Sequence, residues 1–222
     1  MHLLDLHLLT ADLAATRRFY AGTLGLPVHQ PAPGCLAVYV GTSTITFEQA
    51  PPGTAPFYHV AFTVPANQID AAQAWLQARL PLLPVHEGEC IADFRNWQAQ
   101  ALYFHDPNGT ILECIARRPL PNASAAPFGP ASLLGLSEVG VVVPDVPAFC
   151  QFAARALGIP PFARGPVGPE FAALGTDDGL LVVSKDGRGW VPTRRPAEAY
   201  PLRLTLRHGG AQHTLVLPVA AE

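Results

Sequence analysis

Four stretches of this chain set a reactive side chain in a strand-like pattern. Phe57 to Val64, FYHVAFTV, alternates: Phe57, His59, Ala61 and Thr63 point one way, and Tyr58, Val60, Phe62 and Val64 the other. His59 therefore stands opposite a continuous apolar stripe, on a strand able to pack a helix on one side and line a cleft on the other. In Leu3 to Leu9, Asp5 and His7 share the face opposite Leu4, Leu6 and Leu8, about 7 Å apart along the strand. Ile111, Glu113 and Ile115 share one face of a third stretch, and Leu112, Cys114 and Ala116 the other. In the fourth, Tyr103 shares a face with His105. Imidazole, carboxylate and phenol groups that converge can ligate metals, move protons or steady an oxyanion. Each also has a plainer role, as a packed or surface polar residue of a strand.

The surrounding elements must do the converging. Asp12 has the chemistry of a helix N-cap; Leu13, Thr16, Tyr20 and Leu24 follow at helical spacing, Gly25 suits the C′ position and Pro27 blocks continuation. Short strands follow at Cys35 to Val40 and Thr44 to Glu48. The order then repeats. The His59 strand leads through Asn67, a candidate cap, to a helix over Ile69 to Leu80, a weak strand near Val85 to Ile91, and a hairpin of Ala99 to His105 with Thr110 to Ala116. Asp106-Pro107-Asn108-Gly109 joins that hairpin, proline presetting the turn and Asn-Gly taking the positive backbone angles.

After a linker at 119–132 the opening recurs. TADLAATRRFYAGTLGLP aligns without gaps to VPDVPAFCQFAARALGIP, matching Asp12 to Asp145, Phe19 to Phe152, Gly25 to Gly158 and Pro27 to Pro160. The same offset sets Asp5 on Glu138 and His7 on Gly140. Short strands at Phe171 to Leu174 and Leu180 to Ser184 continue this third copy. A loop from Lys185 to Tyr200 and a hairpin about Gly209-Gly210 follow, without a further helix.

Composition narrows the function classes. Of 222 residues, 49% are hydrophobic and 14% charged, which describes a compact folded chain. A net charge of −3 without a long basic run argues against nucleic acid, and no apolar run is long enough to span a bilayer. MHLLDLHLLTADL carries acidic residues and lacks a cationic leader region, so a cytoplasmic protein is expected. Cys35, Cys90, Cys114 and Cys150 are widely and irregularly spaced, as reduced thiols would be.

Together, HLLTADLAATRRFYAGTLGLP, FYHVAFTV and ALYFHDPNGTILECIA resemble the vicinal oxygen chelate superfamily, which includes glyoxalase I, extradiol ring-cleaving dioxygenases and bleomycin- and fosfomycin-resistance proteins. The resemblance implies an α+β fold of repeated βαβββ units forming a curled mixed sheet with helices outside. Two units are complete and a third partial: 1–118 a two-unit domain, 119–132 the linker, and 133–222 the incomplete third unit with its C-terminal hairpin. Paired units hold a divalent metal in that superfamily. Carried over, its ligands fall on His59, on Glu113, and on Asp5 or the neighbouring His7. A fourth falls near Thr46, a poor ligand, with Glu48 displaced on the same face. Tyr103 falls where the ring-cleaving enzymes place a tyrosine against the bound catecholate.

The implied function is a metal-dependent lyase or dioxygenase, with Fe, Mn, Zn or Ni, acting on a small molecule with vicinal oxygens. Tyr103 favours the dioxygenase, and the poor fourth ligand disfavours glyoxalase I. The competing class is a metal-free drug- or metabolite-binding protein of the bleomycin-resistance type. Phe94, Asn96 and Trp97, and Trp190 in the Asp186-Gly187-Arg188-Gly189 loop, are candidates to close over the cleft or simply to anchor their loops. Glu138, with no histidine in its own unit, is not expected to build a second metal site. The unpaired edge of the third unit is expected to pack onto residues 1–118 or to meet its counterpart in a homodimer.

Overall fold

The computed structural model describes residues 1–217; the last five positions of the expected third unit, 218–222, lie outside the described residues. The first unit runs β1 (His2–Thr10), α1 (Leu13–Arg17) with a π-helical turn over Arg18–Thr23, β2 (Val28–His29), β3 (Cys35–Val40) and β4 (Ser43–Gln49). The second runs β5 (His59–Val64), α2 (Ile69–Gln77), β6 (Ala92–Phe94), β7 (Ala99–His105) and β8 (Ile111–Arg117). The third has β9 (Gly135–Val143), α3 (Val146–Leu157), β10 (Phe171–Thr176) and β11 (Gly179–Lys185), before a hairpin of β12 (Leu202–His208) and β13 (Ala211–Leu217). In each unit the first strand lies parallel to the last, β1 on β4, β5 on β8 and β9 on β11, with the helix as crossover.

The 13 strands among the described residues belong to one mixed sheet of an α+β fold. Its seams differ from the expectation that the first two units face each other. The first strand of the second unit pairs antiparallel with that of the third, Val60 opposite Val139 and Ala61 opposite Glu138. The first unit instead pairs β1 with β12, and β1 meets β9 in register at Leu3 and Leu136. A first strand keeps one unpaired edge after meeting its own unit's last strand, and that edge must be covered. Three units and a hairpin present four such edges, and they are satisfied as second with third and first with hairpin. The third unit thus packs onto residues 1–118 and needs no second chain to cover β9.

Local chemistry explains the element ends. Asp12 accepts from Ala15 N and Asp145 from Ala148 N, each at 2.9 Å, so the repeated aspartates are repeated N-caps. Gly158 closes α3 at φ +66°. Asn67 does not cap α2; its amide and carbonyl engage Ser124 O and N, each at 2.9 Å, and so pin the linker. The strand expected near Val85 to Ile91 is a turn instead, and β6 begins just beyond it. In the 106–109 turn, Asp106 Oδ1 accepts from Asn108 N and Thr110 N, while the Asn108 carbonyl accepts from Thr10 Oγ1 and Ala11 N. The turn that aims β8 is thereby tied to the end of β1.

The helices cover one sheet face, where Tyr20, Phe47, Phe62, Leu76, Phe149 and Leu204 share a large core. On the opposite face of the second and third units, Phe57, Ala61, Tyr103, Ile115, Val182 and Trp190 make a smaller apolar cluster. β5 and β8 are consequently buried along their whole length, while β12 alternates buried and exposed.

Candidate metal centre

Register builds the site. Ala61 lies opposite Glu138 on β9 and beside Glu113 on β8, and Glu113 lies opposite Tyr103 on β7. Tyr103, Glu113, Ala61 and Glu138 therefore form one row across four strands. The two glutamates start two strand spacings apart, about 10 Å. Ala61, with its single methyl, lets both carboxylates lean together above it. His59 stands two residues from Ala61 on the same face.

His59 Nε2 lies 3.5 Å from Glu113 Oε2 and 4.0 Å from Glu138 Oε2. Ligand atoms from all three residues fall within 4.8 Å of one another, and all three residues are buried. Donors on a common ion at about 2.1 Å stand roughly 3.0–3.4 Å apart, so small side-chain rotations would close this set on a divalent cation. The Ile111 carbonyl, 3.2 Å from Nδ1, accepts a hydrogen bond from that nitrogen and leaves the Nε2 lone pair facing the carboxylates. A carbonyl that fixes the tautomer in this way is the usual support of a ligating imidazole. Donor types, burial and spacing fit a divalent ion.

Without an ion the charges sit differently. Burial pulls the His59 imidazole down to about 4, with the Ile111 hydrogen bond opposing. It is thus neutral near pH 7, and its 3.5 Å approach to Glu113 is not an ion pair. Burial, then the Glu138 charge, pushes the Glu113 carboxyl well up, against an opposing pull from Arg117. Burial also raises Glu138, again opposed by Arg117. The wholly buried Arg117 guanidinium donates from Nη2 to Glu138 Oε1 and from Nε to Ser137 Oγ, beside the rings of Trp97 and Phe162; its Nη1 has no partner among the described residues. Glu138 so keeps one oxygen for Arg117 and one for the centre. Burial, followed by the nearby glutamate charges, holds the Tyr103 phenol well above its ordinary range.

A cavity of about 250 Å³ opens onto these groups, walled by Phe94, Trp97, Ile115, Phe171, Val182 and Trp190. Trp190 lies against the imidazole, ring centres 5.1 Å apart. Gly140 makes this possible, because a Cβ there would stand 3.0 Å from His59 Cβ and 3.1 Å from the Trp190 ring.

The structure brings His59, Glu113 and Tyr103 together and leaves Asp5 and His7 apart from them. Asp5 and His7 bond each other at 2.8 Å, and His7 meets Arg203 on a partly exposed face, because the free edge of β1 is taken by β12 rather than β5. Thr46 and Glu48 lie on β4, beside β1 and away from the cavity. His105 turns toward Thr110 O, and Asn96 stays exposed outside the cavity. Sequence reasoning passed over Glu138. Its signal was the repeat offset that set it on Asp5, with the missing histidine supplied by the second unit.

No family model matches the chain, and no curated protein matches it. Solved structures do. A candidate dioxygenase from Bacillus subtilis subsp. subtilis str. 168 superposes with TM-score 0.60 at 14% identity, over 97% of this chain and 84% of that one. A glyoxalase I mutant from Zea mays gives TM-score 0.54 at 18% identity, over 83% and 66%. A glyoxalase/bleomycin resistance protein/dioxygenase from Nocardioides gives 0.43 at 25% identity, over 58% and 90%.

Proposed function

We propose that this chain, which has the fold of the vicinal oxygen chelate superfamily, is a metal-dependent lyase or dioxygenase for a small molecule bearing two adjacent oxygens. One observation carries the reading: an imidazole and two carboxylates, all buried, present donors within 4.8 Å of one another on the wall of an aromatic cavity. His59, Glu113 and Glu138 would hold the ion, and a mixed nitrogen and oxygen set suits Fe, Mn, Zn or Ni. Such an ion supplies Lewis acidity to both oxygens of the ligand.

The remaining work falls to the protein's own groups. Ile111 O keeps the His59 proton on Nδ1. Arg117 fixes the orientation of Glu138. The Tyr103 phenol keeps its proton across the neutral range and can donate it to a ligand oxygen in the cavity. Trp190, Trp97 and Phe94 exclude water. Tyr103 beside Glu113 favours oxygen-dependent ring cleavage over a lyase reaction.

Arg117 supports a second reading. Its ion pair with Glu138, together with a Glu113 carboxyl that burial pushes toward its neutral form, balances the site without an ion, as a non-catalytic binding protein would require. Elemental analysis of purified and reconstituted protein separates the two. Stoichiometric metal that disappears in His59→Ala and Glu138→Gln supports the enzyme, and protein that stays metal-free after reconstitution ends that reading. Oxygen uptake with catechol then tests the dioxygenase, with Tyr103→Phe expected to slow turnover by about 10²–10⁴.

A further inference from the structure

The segment between β11 and β12 is built as an arm. Gly187 N donates to Ala197 O, Ala197 N to Arg188 O, Trp190 N to Arg195 O and Arg194 N to Trp190 O, at 2.7–2.9 Å. Gly187 takes φ +78°, and a Cβ on Gly189 would lie 3.0 Å from Arg194 O. Both glycines of Gly187-Arg188-Gly189 are thus needed for the arm's path, and the residue between them is held in place. The arm delivers Trp190 onto His59 and Arg188 onto the cavity wall.

Arg95, Arg117, Arg118 and Arg164 each meet a carboxylate; among the described residues Arg188 has no such partner and rests on the face of Phe171, 4.3 Å from the ring centre. It is half-buried and, among the described residues, is the only lysine or arginine lining the cavity. An aromatic-walled chamber with donors for an ion on one part of its lining and an unpaired guanidinium on another selects for a ligand of matching polarity. We propose that the ligand carries a carboxylate in addition to its adjacent oxygens, and that Arg188 receives it and sets specificity. A single planar fork matches a planar monoanion in two-point contact, whereas a phosphate-type dianion calls for more donors than this wall offers. The cavity lies near the small end for ligand sites, which limits the candidate to about one substituted ring.

The adjacent-oxygen part of this inference rests on the proposed metal centre; the Arg188 part is testable alone. Tryptophan fluorescence of reconstituted protein, quenched through Trp190 and Trp97, reports binding of catechol, of a dihydroxybenzoate with adjacent hydroxyls, and of benzoate. A charged hydrogen-bonded pair corresponds to about tenfold or more in affinity. Dihydroxybenzoate is expected to bind at least about tenfold more tightly than catechol, and Arg188→Gln to bring that ratio near one and abolish benzoate binding. Equal affinity for the two diols in wild type, or a preference that survives Arg188→Gln, overturns the proposal. Protein that stays metal-free after reconstitution yet binds benzoate through Arg188 removes the metal centre and keeps the carboxylate site.

Discussion

Two seams in this molecule complete a first strand with an antiparallel neighbour, β9 on β5 and β12 on β1, and only one of them makes a site. At the β5–β9 seam, His59, Glu113 and Glu138 are buried under Trp190. At the β1–β12 seam, Asp5 and His7, the repeat counterparts of Glu138 and Gly140, bond each other on a partly exposed face, and His7 also meets Arg203. The residue types are alike: imidazole, carboxylate and arginine occur at both. What separates the seams is the cover and the room for it. A loop closes over one face of the second and third units, and a glycine opposite His59 leaves space for the indole. Enclosure changes the chemistry, because a buried charge must find a partner while an exposed one is met by water.

The sharpest way to break that contrast is to remove the arginine from each seam. Arg117→Met strands the Glu138 charge in the interior and is expected to cost about 3–5 kcal/mol in urea unfolding, whereas Arg203→Met should cost about 0–1. Equal losses would mean the two seams are not energetically different.

Acid should expose the next difference. The folded His59 imidazole is depressed to about 4 against an ordinary 6.5, so the unfolded chain takes up a proton first as pH falls. The stability of metal-free protein contributed by this neutral imidazole is complete above pH 6.5 and is lost between 6.5 and 4, by about 3 kcal/mol. Glu113, pushed up by burial, acts in the opposite sense, since its folded form favours the protonated state. The difference between wild type and His59→Gln isolates the imidazole, and unfolding curves across that range should show the acid slope removed. His7→Gln should retain the slope.

Gly140→Ala tests the room beneath Trp190. The added methyl forces His59 or the indole to shift, at about 1–3 kcal/mol, with a change in tryptophan emission. His7→Ala, at the matching position of the other seam, should fall within about 0.5 kcal/mol. Removing the two matched caps should give the effects most alike, about 1 kcal/mol for each of Asp12→Ala and Asp145→Ala.

Those caps were legible because capping is a local matter. Asp12 and Asp145 bond a backbone three residues on, and Asp106-Pro107-Asn108-Gly109 makes its turn from its own side chains. Alternation likewise aimed His59 and Glu113 onto the faces where they are found. Asn67 misled because its side chain is drawn to Ser124, 57 residues away, which no local pattern records. The partnership of Glu138 with His59 was hidden for the same reason. Backbone hydrogen bonds carry no sequence label, so the edge of β5 could be completed by β1 or by β9 with equal satisfaction of its amides. The offset that aligned Asp5 with Glu138 held the answer, but only together with knowledge of which units meet.

Anomalous diffraction from crystals of the reconstituted protein, collected at the edge of the metal that elemental analysis identifies, tests the central claim most directly. The account predicts a single strong peak about 2.0–2.2 Å from His59 Nε2 and from one oxygen each of Glu113 and Glu138, with Arg117 still on the other oxygen of Glu138. A peak beside Asp5 and His7, or none within reach of His59, would contradict it.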